Sequence, residues 1–494
     1  MRTGGRRAVR KIAGLGERRH DPETGVECLL AVGVRETRDR AVGIERHVRE
    51  RLARRRLAHH PAVPRAGVPL AEAVLDVVRV GDAEVGERGP IVDPVVRTRR
   101  TQVELSGADL DGLHVVNPRT SWGAAARKPR PGRTPPRYRG RMGTEPVAAR
   151  TMRAVRIPRH GGPEVLELVS VPVPRPERGE VLVKVSAVAL NNTDLWTREG
   201  AYGSAGDPGA LSGWRGPIGF PRIQGADVAG HVAAVGDGVD AELVGARVLV
   251  DPAIYDSDGP DANPVGLMGS ERDGGYAEYV TAPAERVHDV TASPLTDDQL
   301  ASLPTAYGTA LGMAERGCLR AGETAVVSGA SGGVGLAAVQ IARARGATVV
   351  AISSAGKLDA VRDAGADHVV DRAGDLPAQL RDAAPDGIDV GLDVVAGELV
   401  TQALPLLREG GRWVVAGALG GYEVAFDIRR LYLHNARLVG SAMHTPAQFE
   451  QLVETARRGD VAPVVSATFP LDRAADAQRA LARRGHVGKI VLHP

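Results

Sequence analysis

Apolar and polar positions follow two different patterns along the chain after residue 152. Over residues 153–280, short apolar stretches alternate with polar positions or run β-branched, and turn-forming glycines and prolines separate them. Such spacing is typical of short strands joined by turns. The pattern predicts a mostly β domain with strands at 153–157, 166–169, 181–188, 228–235 and 247–250.

From about residue 297, apolar stretches of strand length alternate with helical patterns. The predicted strands lie at 324–328, 348–352, 368–370, 389–394, 413–416 and 438–440. Regular alternation of strand and helix predicts an α/β domain built on a doubly wound parallel sheet. Beyond residue 441, a helix at 448–458, a strand at 467–470, a further helix and a terminal strand at 489–493 complete the chain.

The first 150 residues show neither pattern. They carry 29 Arg and 2 Lys against 18 acidic residues, a net charge of +13, whereas the remaining residues carry 32 bases and 42 acids, a net charge of −10. A basic segment without a repeating apolar face has little surface with which to build a core. We therefore predict a disordered extension over residues 1–151. A second hypothesis is that the native chain begins at Met152.

Composition narrows the compartment and the partners. The only cysteines are Cys28 and Cys318, too few for a disulfide framework or a cysteine-built zinc site, which fits a reducing compartment. The sequence has neither an apolar run long enough for a membrane span nor a clear secretory signal, so a cytoplasmic location is expected and no membrane partner. The basic segment contains almost no lysine and few aromatic residues for base stacking, so no nucleic-acid partner is expected.

One strand–turn–helix unit, at residues 324–345, carries the clearest chemical signal. A β-branched stretch leads into a glycine-rich turn, and a helical pattern follows. Missing Cβ atoms let the backbone approach a dinucleotide pyrophosphate, and the helix N-terminus offers free N–H groups. We predict cofactor contacts along the whole turn, from Gly329, Ala330, Ser331, Gly332, Gly333, Val334 and Gly335.

Several motifs in a fixed order extend this interpretation. They read MRAVRIPRHGGPEVL at 152–166, ALNNTDLWTR at 189–198, IQGADVAG at 223–230, GGYAEYV at 274–280 and HVGKIVL at 486–492. Together with the glycine turn, residues 152–494 resemble the medium-chain dehydrogenase/reductase superfamily, closest to its zinc-independent, quinone oxidoreductase-like (zeta-crystallin-like) branch. The resemblance implies a Rossmann domain at 281–440, inserted into a GroES-like catalytic domain formed by residues 152–280 and 441–494.

The resemblance also locates where zinc-containing members bind their catalytic metal. The matching positions hold Asn191, Ala226 and, near the third ligand, Thr305. Amide, methyl and hydroxyl groups do not supply the nitrogen and thiolate ligands that tetrahedral zinc prefers. We therefore predict that the protein binds no metal.

The second strand of the α/β domain indicates which nicotinamide cofactor is used. NAD-preferring folds place an acidic residue at the end of this strand, to bind the ribose 2′-hydroxyl. Here Ser353 and Ser354 end the strand and Lys357 follows, while Arg372 falls where the resembling NADPH enzymes face the 2′-phosphate. We predict NADPH as the cofactor. The nicotinamide is expected near Val395 and Gly417, in the crevice at the carboxyl ends of the strands.

Three residues are candidates for the chemistry. The resembling reductases have an asparagine at the position of Asn191, which makes its amide a candidate hydrogen-bond donor to substrate or nicotinamide; an Asx turn or a helix cap is the alternative. Tyr202 and Tyr307 are candidate acids, and packing is the alternative for both.

These features predict an NADPH-dependent, zinc-independent oxidoreductase. Its expected substrate is a quinone, an enone or a similar electrophilic small molecule, because such acceptors need no Lewis acid. Two alternatives within enzymes are a metal-free alcohol dehydrogenase and an enoyl-thioester reductase. An NADPH-binding protein with little turnover is the alternative from another class. The resemblance also implies a homodimer, formed at the edge of the Rossmann sheet.

Overall fold

The computed structural model describes residues 150–202 and 213–494. The predicted disorder of the N-terminal extension therefore falls almost wholly on residues outside the described part of the chain. Met152 lies inside the first strand, which begins at Thr151. Within the described ranges, no helix is long and apolar enough to cross a membrane.

The catalytic domain is built mainly from antiparallel strands, and its last two strands pair in parallel. The strands are β1 Thr151–Ile157, β2 Glu167–Pro172, β3 Glu180–Ala189, β4 Arg222–Ile223, β5 Asp227–Val235, β6 Arg247–Val250, β7 Ala253–Tyr255, β8 Pro264–Leu267, β9 Tyr279–Pro283 and β10 Val287–Asp289, with β17 Val465–Pro470 and β18 Lys489–His493 from the end of the chain. A seven-stranded sheet runs in the order β10-β6-β5-β3-β18-β17, and β9 also pairs with β3. Because β18 pairs with β3, strands from both ends of the described chain belong to one sheet.

The Rossmann domain lies between these two parts. Its six strands are β11 Thr324–Val327, β12 Thr348–Ser353, β13 His368–Asp371, β14 Ile388–Asp393, β15 Leu407–Val415 and β16 Arg437–Gly440. They are parallel, in the order β13-β12-β11-β14-β15-β16. This order has a switch point beside β11, where a dinucleotide crevice forms in such sheets. The predicted α/β fold is confirmed.

Ten α-helices accompany the strands of the described chain. They are α1 Asn192–Glu199, α2 Asp297–Ala301, α3 Pro304–Arg316, α4 Gly333–Ala344, α5 Leu358–Asp363, α6 Leu376–Ala383, α7 Glu398–Ala403, α8 Ile428–Leu433, α9 Pro446–Arg458 and α10 Ala474–Ala482. Buried side chains from α3, α4 and β11 share one apolar core, which continues into the catalytic domain through Leu249 and Val491. This core fixes the two domains against each other and sets the shape of the cleft.

One strand is longer than the apolar pattern predicted. β15 begins at Leu407 rather than near Trp413, because its first half contains polar residues. Arg412 is buried in this strand, where it pairs with Glu323 at 2.7 Å and donates to the backbone carbonyl of Cys318. A buried arginine that is fully paired leaves the strand intact but interrupts its apolar pattern.

A buried histidine joins the two domains behind the cleft. The Nε2 atom of His444 lies 3.0 Å from Oδ1 of Asp251, and both side chains are almost fully buried. Asp251 also accepts the Tyr255 hydroxyl at 2.8 Å. On the other side, α3 approaches so closely that a Cβ at Gly308 would lie 2.2 Å from Nδ1 of His444. The junction therefore needs glycine at this helical position.

Replacing Gly308 with alanine should lower stability, although alanine is the better helix former. The overlap with the His444 ring should cost about 1–3 kcal/mol, against roughly 1 kcal/mol gained from helix propensity. The free energy of unfolding in urea measures the net loss. Gly356→Ala is the matched control, because nothing lies within 4 Å of a Cβ at that position. An equal effect of the two substitutions would contradict this account of the junction.

Candidate active site

The glycine turn joins β11 to α4 at the switch point of the sheet. Gly329 has a φ of +55°, which favours glycine. A Cβ at Gly335 would lie 2.2 Å from the carbonyl oxygen of Gly329, so this residue permits the helix to pack against the turn. Gly332 caps α4 and faces open space, since a Cβ there would have only one atom within 4 Å. The turn thus presents backbone N–H groups at a helix N-terminus, the arrangement that binds a pyrophosphate.

The residues predicted to select the cofactor lie together at the end of β12. The backbone N–H of Arg372 donates to the carbonyl of Ser353 at 2.8 Å, and Arg372 lies close enough to Lys357 to lower the pKa of its ammonium, after the larger effect of burial. The Ser353 hydroxyl is buried and has no hydrogen-bond partner within the described residues. Lys357 donates to the carbonyls of Arg484 and His486, at 2.6 and 2.7 Å. Ser353, Lys357 and Arg372 are thus neighbours, as their backbone and electrostatic contacts show.

A buried aspartate shapes the crevice where the nicotinamide is expected. Asp393, at the end of β14, accepts the Trp413 indole N–H at 2.9 Å and the backbone N–H of Val395 at 2.7 Å. Its carboxylate also accepts the Ser328 hydroxyl, just before the glycine turn. Gly417 packs closely against the residue that follows Asp393, since a Cβ at Gly417 would lie 2.9 Å from the carbonyl oxygen of Val394. The crevice is therefore held by hydrogen bonds before any ligand enters.

The three positions that match zinc ligands in relatives do converge in space. Asn191 precedes α1, and its Nδ2 donates to Oδ2 of Asp227 at 2.9 Å. Thr305, at the start of α3, donates its backbone N–H to Oδ1 of Asp227 at 2.9 Å and donates its hydroxyl to the same oxygen. Ala226 directly precedes Asp227 at the start of β5. The resemblance to the family thus identified one real locus.

A lysine from the end of the chain fills this locus. The ammonium of Lys489 donates to Oδ1 of Asn191 and lies 3.3 Å from Oδ2 of Asp227. Its side chain is 5% exposed. Burial lowers the pKa of Lys489, while Asp227 and Asp194 oppose this shift. Because the cation has two oxygen partners and a counter-ion, its burial is compensated.

The donor set does not fit the zinc ion that the family implies. A tetrahedral zinc site takes its ligands from thiolates, imidazoles and carboxylates, and the locus offers only one of these, the Asp227 carboxylate, together with an amide, a methyl group, a hydroxyl and an ammonium. No group of three His, Cys, Asp or Glu side chains among the described residues has the arrangement of a metal site.

The structure shows what each of the three candidate chemical residues contacts. Both N–H directions of the Asn191 amide are directed at protein acceptors, Asp227 at 2.9 Å and the carbonyl of Ala189 at 3.4 Å. Tyr307 donates to Gln340 at 2.9 Å, on the side of α4. Tyr202 packs edge-on against Trp196, with ring centroids 5.4 Å apart. Burial raises the pKa of both tyrosines, so each keeps its proton at neutral pH. Catalytic roles for these three residues stay predictions.

Four residues of the site were not singled out from the sequence as functional. They are Asp227 and Lys489 at the filled locus, Asp393 in the crevice, and Thr193, whose hydroxyl opposes the rise in the pKa of Tyr202. The sequence did contain a signal for two of these residues, because Asp227 and Lys489 both belong to motifs that carried the family resemblance. Their pairing joins positions 262 residues apart, and no local pattern indicates such a contact.

A second carboxyl, that of Asp194, lies beside the locus and has a raised pKa. Asp194 is 3% exposed and accepts the backbone N–H of Asn191 at 2.7 Å. Burial raises the pKa of this carboxyl to about 7, although the N–H of Asn191 opposes the shift. A group that titrates near neutral pH thus adjoins the filled locus.

A large cavity lies elsewhere in the catalytic domain. It has a volume of about 840 Å³ and is lined by strands β1, β7 and β9 together with residues from the turns between them. Neither the glycine turn nor the Lys489 locus contributes to its walls. This cavity therefore lies apart from the glycine turn and the Lys489 locus. Those two features define the candidate active site.

Comparison with known proteins identifies the family of this chain. A family model described as "Zinc-binding dehydrogenase" matches residues 333–458, and one described as "Alcohol dehydrogenase GroES-like domain" matches residues 177–292. The quinone oxidoreductase of Lama guanicoe is 32% identical over 357 residues, which cover 69% of this chain and 98% of the relative. An NAD-dependent alcohol dehydrogenase of Sulfurisphaera tokodaii is 30% identical, over 69% of this chain and 100% of the relative.

A solved structure gives the same result. A candidate alcohol dehydrogenase from Sinorhizobium meliloti 1021 superposes with a TM-score of 0.67 at 46% sequence identity, over 70% of this chain and 97% of that chain. The chain belongs to the medium-chain dehydrogenase/reductase superfamily, in its quinone oxidoreductase-like branch. The family expected from the motifs is confirmed. The protein is an oxidoreductase of a class that binds a nicotinamide cofactor.

Titration of Asp194 should be visible in the pH dependence of stability. Its folded-state pKa of about 7 exceeds its ordinary value of 3.8, so its contribution to stability is fully present below the ordinary value and is lost as pH rises towards 7. Asp194→Asn keeps an acceptor for the Asn191 N–H but does not titrate. Its stability relative to the parent protein should therefore rise between these two pH values, measured by urea unfolding. Parallel pH profiles of variant and parent would contradict the assignment.

Proposed function

We propose that this protein is an NADPH-dependent, zinc-independent oxidoreductase that transfers hydride to a quinone, an enone or a similar electrophilic small molecule. The observation that carries the proposal is the filled locus, where Lys489, Asp227 and Asn191 bond to one another in place of metal ligands. Oxidation of an unactivated alcohol benefits from a Lewis acid, whereas a conjugated carbonyl is already polarised. The quinone oxidoreductases among the relatives support the same substrate class.

The cofactor would be held by parts of the Rossmann domain that the structure presents ready-made. The N–H groups at the start of α4 would bind the pyrophosphate, and Gly329 would let it approach closely. Ser353, Lys357 and Arg372 would face a 2′-phosphate. When bound, the reduced nicotinamide supplies the hydride. The protein contributes orientation and exclusion of water, since its crevice is fixed by Asp393.

A metal-free alcohol dehydrogenase is the second candidate. Relatives named as alcohol dehydrogenases favour it, one at 30% identity over 69% of this chain and one solved structure at 46% identity over 70%. The two candidates differ in the direction and the substrate of the reaction rather than in the cofactor site.

We also propose a homodimer that forms through the edge of the Rossmann sheet. β16 is the last strand of that sheet, and its Leu438 is 45% exposed. Nearby on α8, Tyr432 and Leu433 are 61% and 63% exposed. An open strand edge flanked by apolar side chains favours pairing with a second copy. Sedimentation velocity should give a dimer for the full chain and a monomer for Leu438→Glu; a parent that sediments as a monomer contradicts this proposal.

The substrate proposal predicts a specific outcome for a panel of acceptors. The full chain should consume NADPH with quinones and enones, but should not reduce NADP⁺ with simple primary alcohols, because no Lewis acid activates them. Absorbance of the reduced nicotinamide measures both directions. Turnover with alcohols alone would favour the second candidate, and NADPH binding without turnover in any arm would favour a binding protein.

The cofactor proposal predicts a reversal of preference in Ser353→Asp. A carboxylate at the end of β12 should repel the 2′-phosphate and accept the ribose hydroxyl of NADH, so the ratio of kcat/KM for NADPH to that for NADH should fall by about tenfold or more. Ser353→Asn is the matched control, because it adds a polar side chain of similar size without a charge. An unchanged ratio in Ser353→Asp would count against NADPH selection at this position.

A further inference from the structure

The filled locus has three walls, and each comes from a different part of the chain. Asn191 stands before α1, Asp227 begins β5, and Thr305 lies in the first turn of α3. Both oxygens of Asp227 are used, Oδ1 by Thr305 and Oδ2 by Asn191 and Lys489. The ammonium therefore sits where the three ligand positions of zinc-containing relatives meet, with a carboxylate as its counter-ion.

The glycine turn makes room for this lysine. A Cβ at Gly333 would lie 2.6 Å from Cδ of Lys489, closer than such atoms approach. The backbone of the preceding residue also pairs with the end of the chain, through the bridge between Gly332 and Gly488 and the hydrogen bond from the Gly488 N–H to Ser331 at 2.9 Å. The cofactor turn and the lysine are thus built against each other. Gly333 serves the lysine as well as the cofactor.

The choice of lysine stands out in this sequence. Of 63 basic residues only five are lysines, at Lys11, Lys128, Lys184, Lys357 and Lys489. In a chain that uses arginine at nearly every basic position, one of the few ammonium groups is the one buried at this locus. A compact cation on a flexible stem fits a space the size of a metal ion, whereas a planar guanidinium is larger.

We propose that the Lys489 ammonium is the built-in cation of this active site, standing in for the metal of zinc-containing relatives. As a positioning residue it balances Asp227 and fixes the Asn191 amide, and it prevents a metal from entering the locus. In the reaction it contributes a fixed positive charge beside the cleft, which favours the negative charge that develops on the acceptor oxygen. This last role rests on the proposed function; the exclusion of metal does not.

Metal binding tests the exclusion directly. Asn191→Cys, Ala226→His and Thr305→Cys together restore the ligand types of a zinc site in the full chain. We expect this triple variant to bind Co²⁺ at least about tenfold more weakly than the same variant carrying Lys489→Ala, because the ammonium repels the ion. Thiolate-to-cobalt absorption and bound cobalt per chain are the readouts, with circular dichroism as the check of folding. Equal affinity of the two variants, or no binding by either folded variant, would overturn the proposal.

Kinetics of single substitutions test the charge without rebuilding the site. Lys489→Met should lower kcat by about tenfold or more, with the Kd for NADPH changed by less than about threefold, because the charge acts on the developing oxyanion. Lys489→Arg keeps the charge and should recover part of the loss. Lys184→Met, an exposed lysine on β3, is the control and should leave kcat unchanged. An unaltered kcat in Lys489→Met contradicts the catalytic role.

The two experiments separate the inference from the proposed function. If the parent protein turns over none of the acceptors, the proposed function fails, and the cobalt titration still decides whether Lys489 excludes metal. If the parent is active, but Lys489→Met leaves kcat unchanged and Lys489→Ala leaves the cobalt affinity of the triple variant unchanged, the inference fails and the proposed function stands.

Discussion

The buried ion pair between Lys489 and Asp227 is the interaction on which the catalytic half of the structure depends. Breaking such a pair by removing one partner typically costs about 3–5 kcal/mol, since the other charge stays buried. Here the Lys489–Asp227 ion pair connects the last strand of the chain with β5 and, through Asn191 and Thr305, with the starts of α1 and α3.

The same ion pair is linked to features that otherwise look unrelated. Gly333 belongs to the glycine turn, and the close approach of the Lys489 side chain requires glycine there. Burial raises the pKa of Asp194 to about 7; the nearby Asp227 carboxylate adds to the rise, and the Lys489 ammonium opposes it. Lys489, Asp227 and Asn191 form one bonded network at this locus.

The Rossmann half is organised by a different principle. Asp393 accepts the Trp413 indole N–H and the backbone N–H of Val395 in the following turn, which fixes the carboxyl end of β14. The outer end, near Ser353 and Arg372, keeps a buried hydroxyl unsatisfied within the described residues. A site that orients one part of its cofactor needs rigid protein groups around that part. A site that selects its cofactor by another part needs free polar groups there.

Local periodicity and short motifs in the sequence predicted the glycine turn and the six strands of the Rossmann sheet, and the family resemblance gave the three ligand positions. The sequence predicted only five of the ten strands β1–β10, because the other five are short, with two to five residues each. It set the boundaries of β6 and β18 correctly but shortened β15, where the buried Arg412 interrupts the apolar pattern. Only the tertiary structure showed that Asn191 turns its amide to Asp227, that Tyr307 bonds to Gln340, and that Lys489 fills the locus. These contacts join residues far apart in sequence, and a local pattern carries no information about which distant charge will lie opposite.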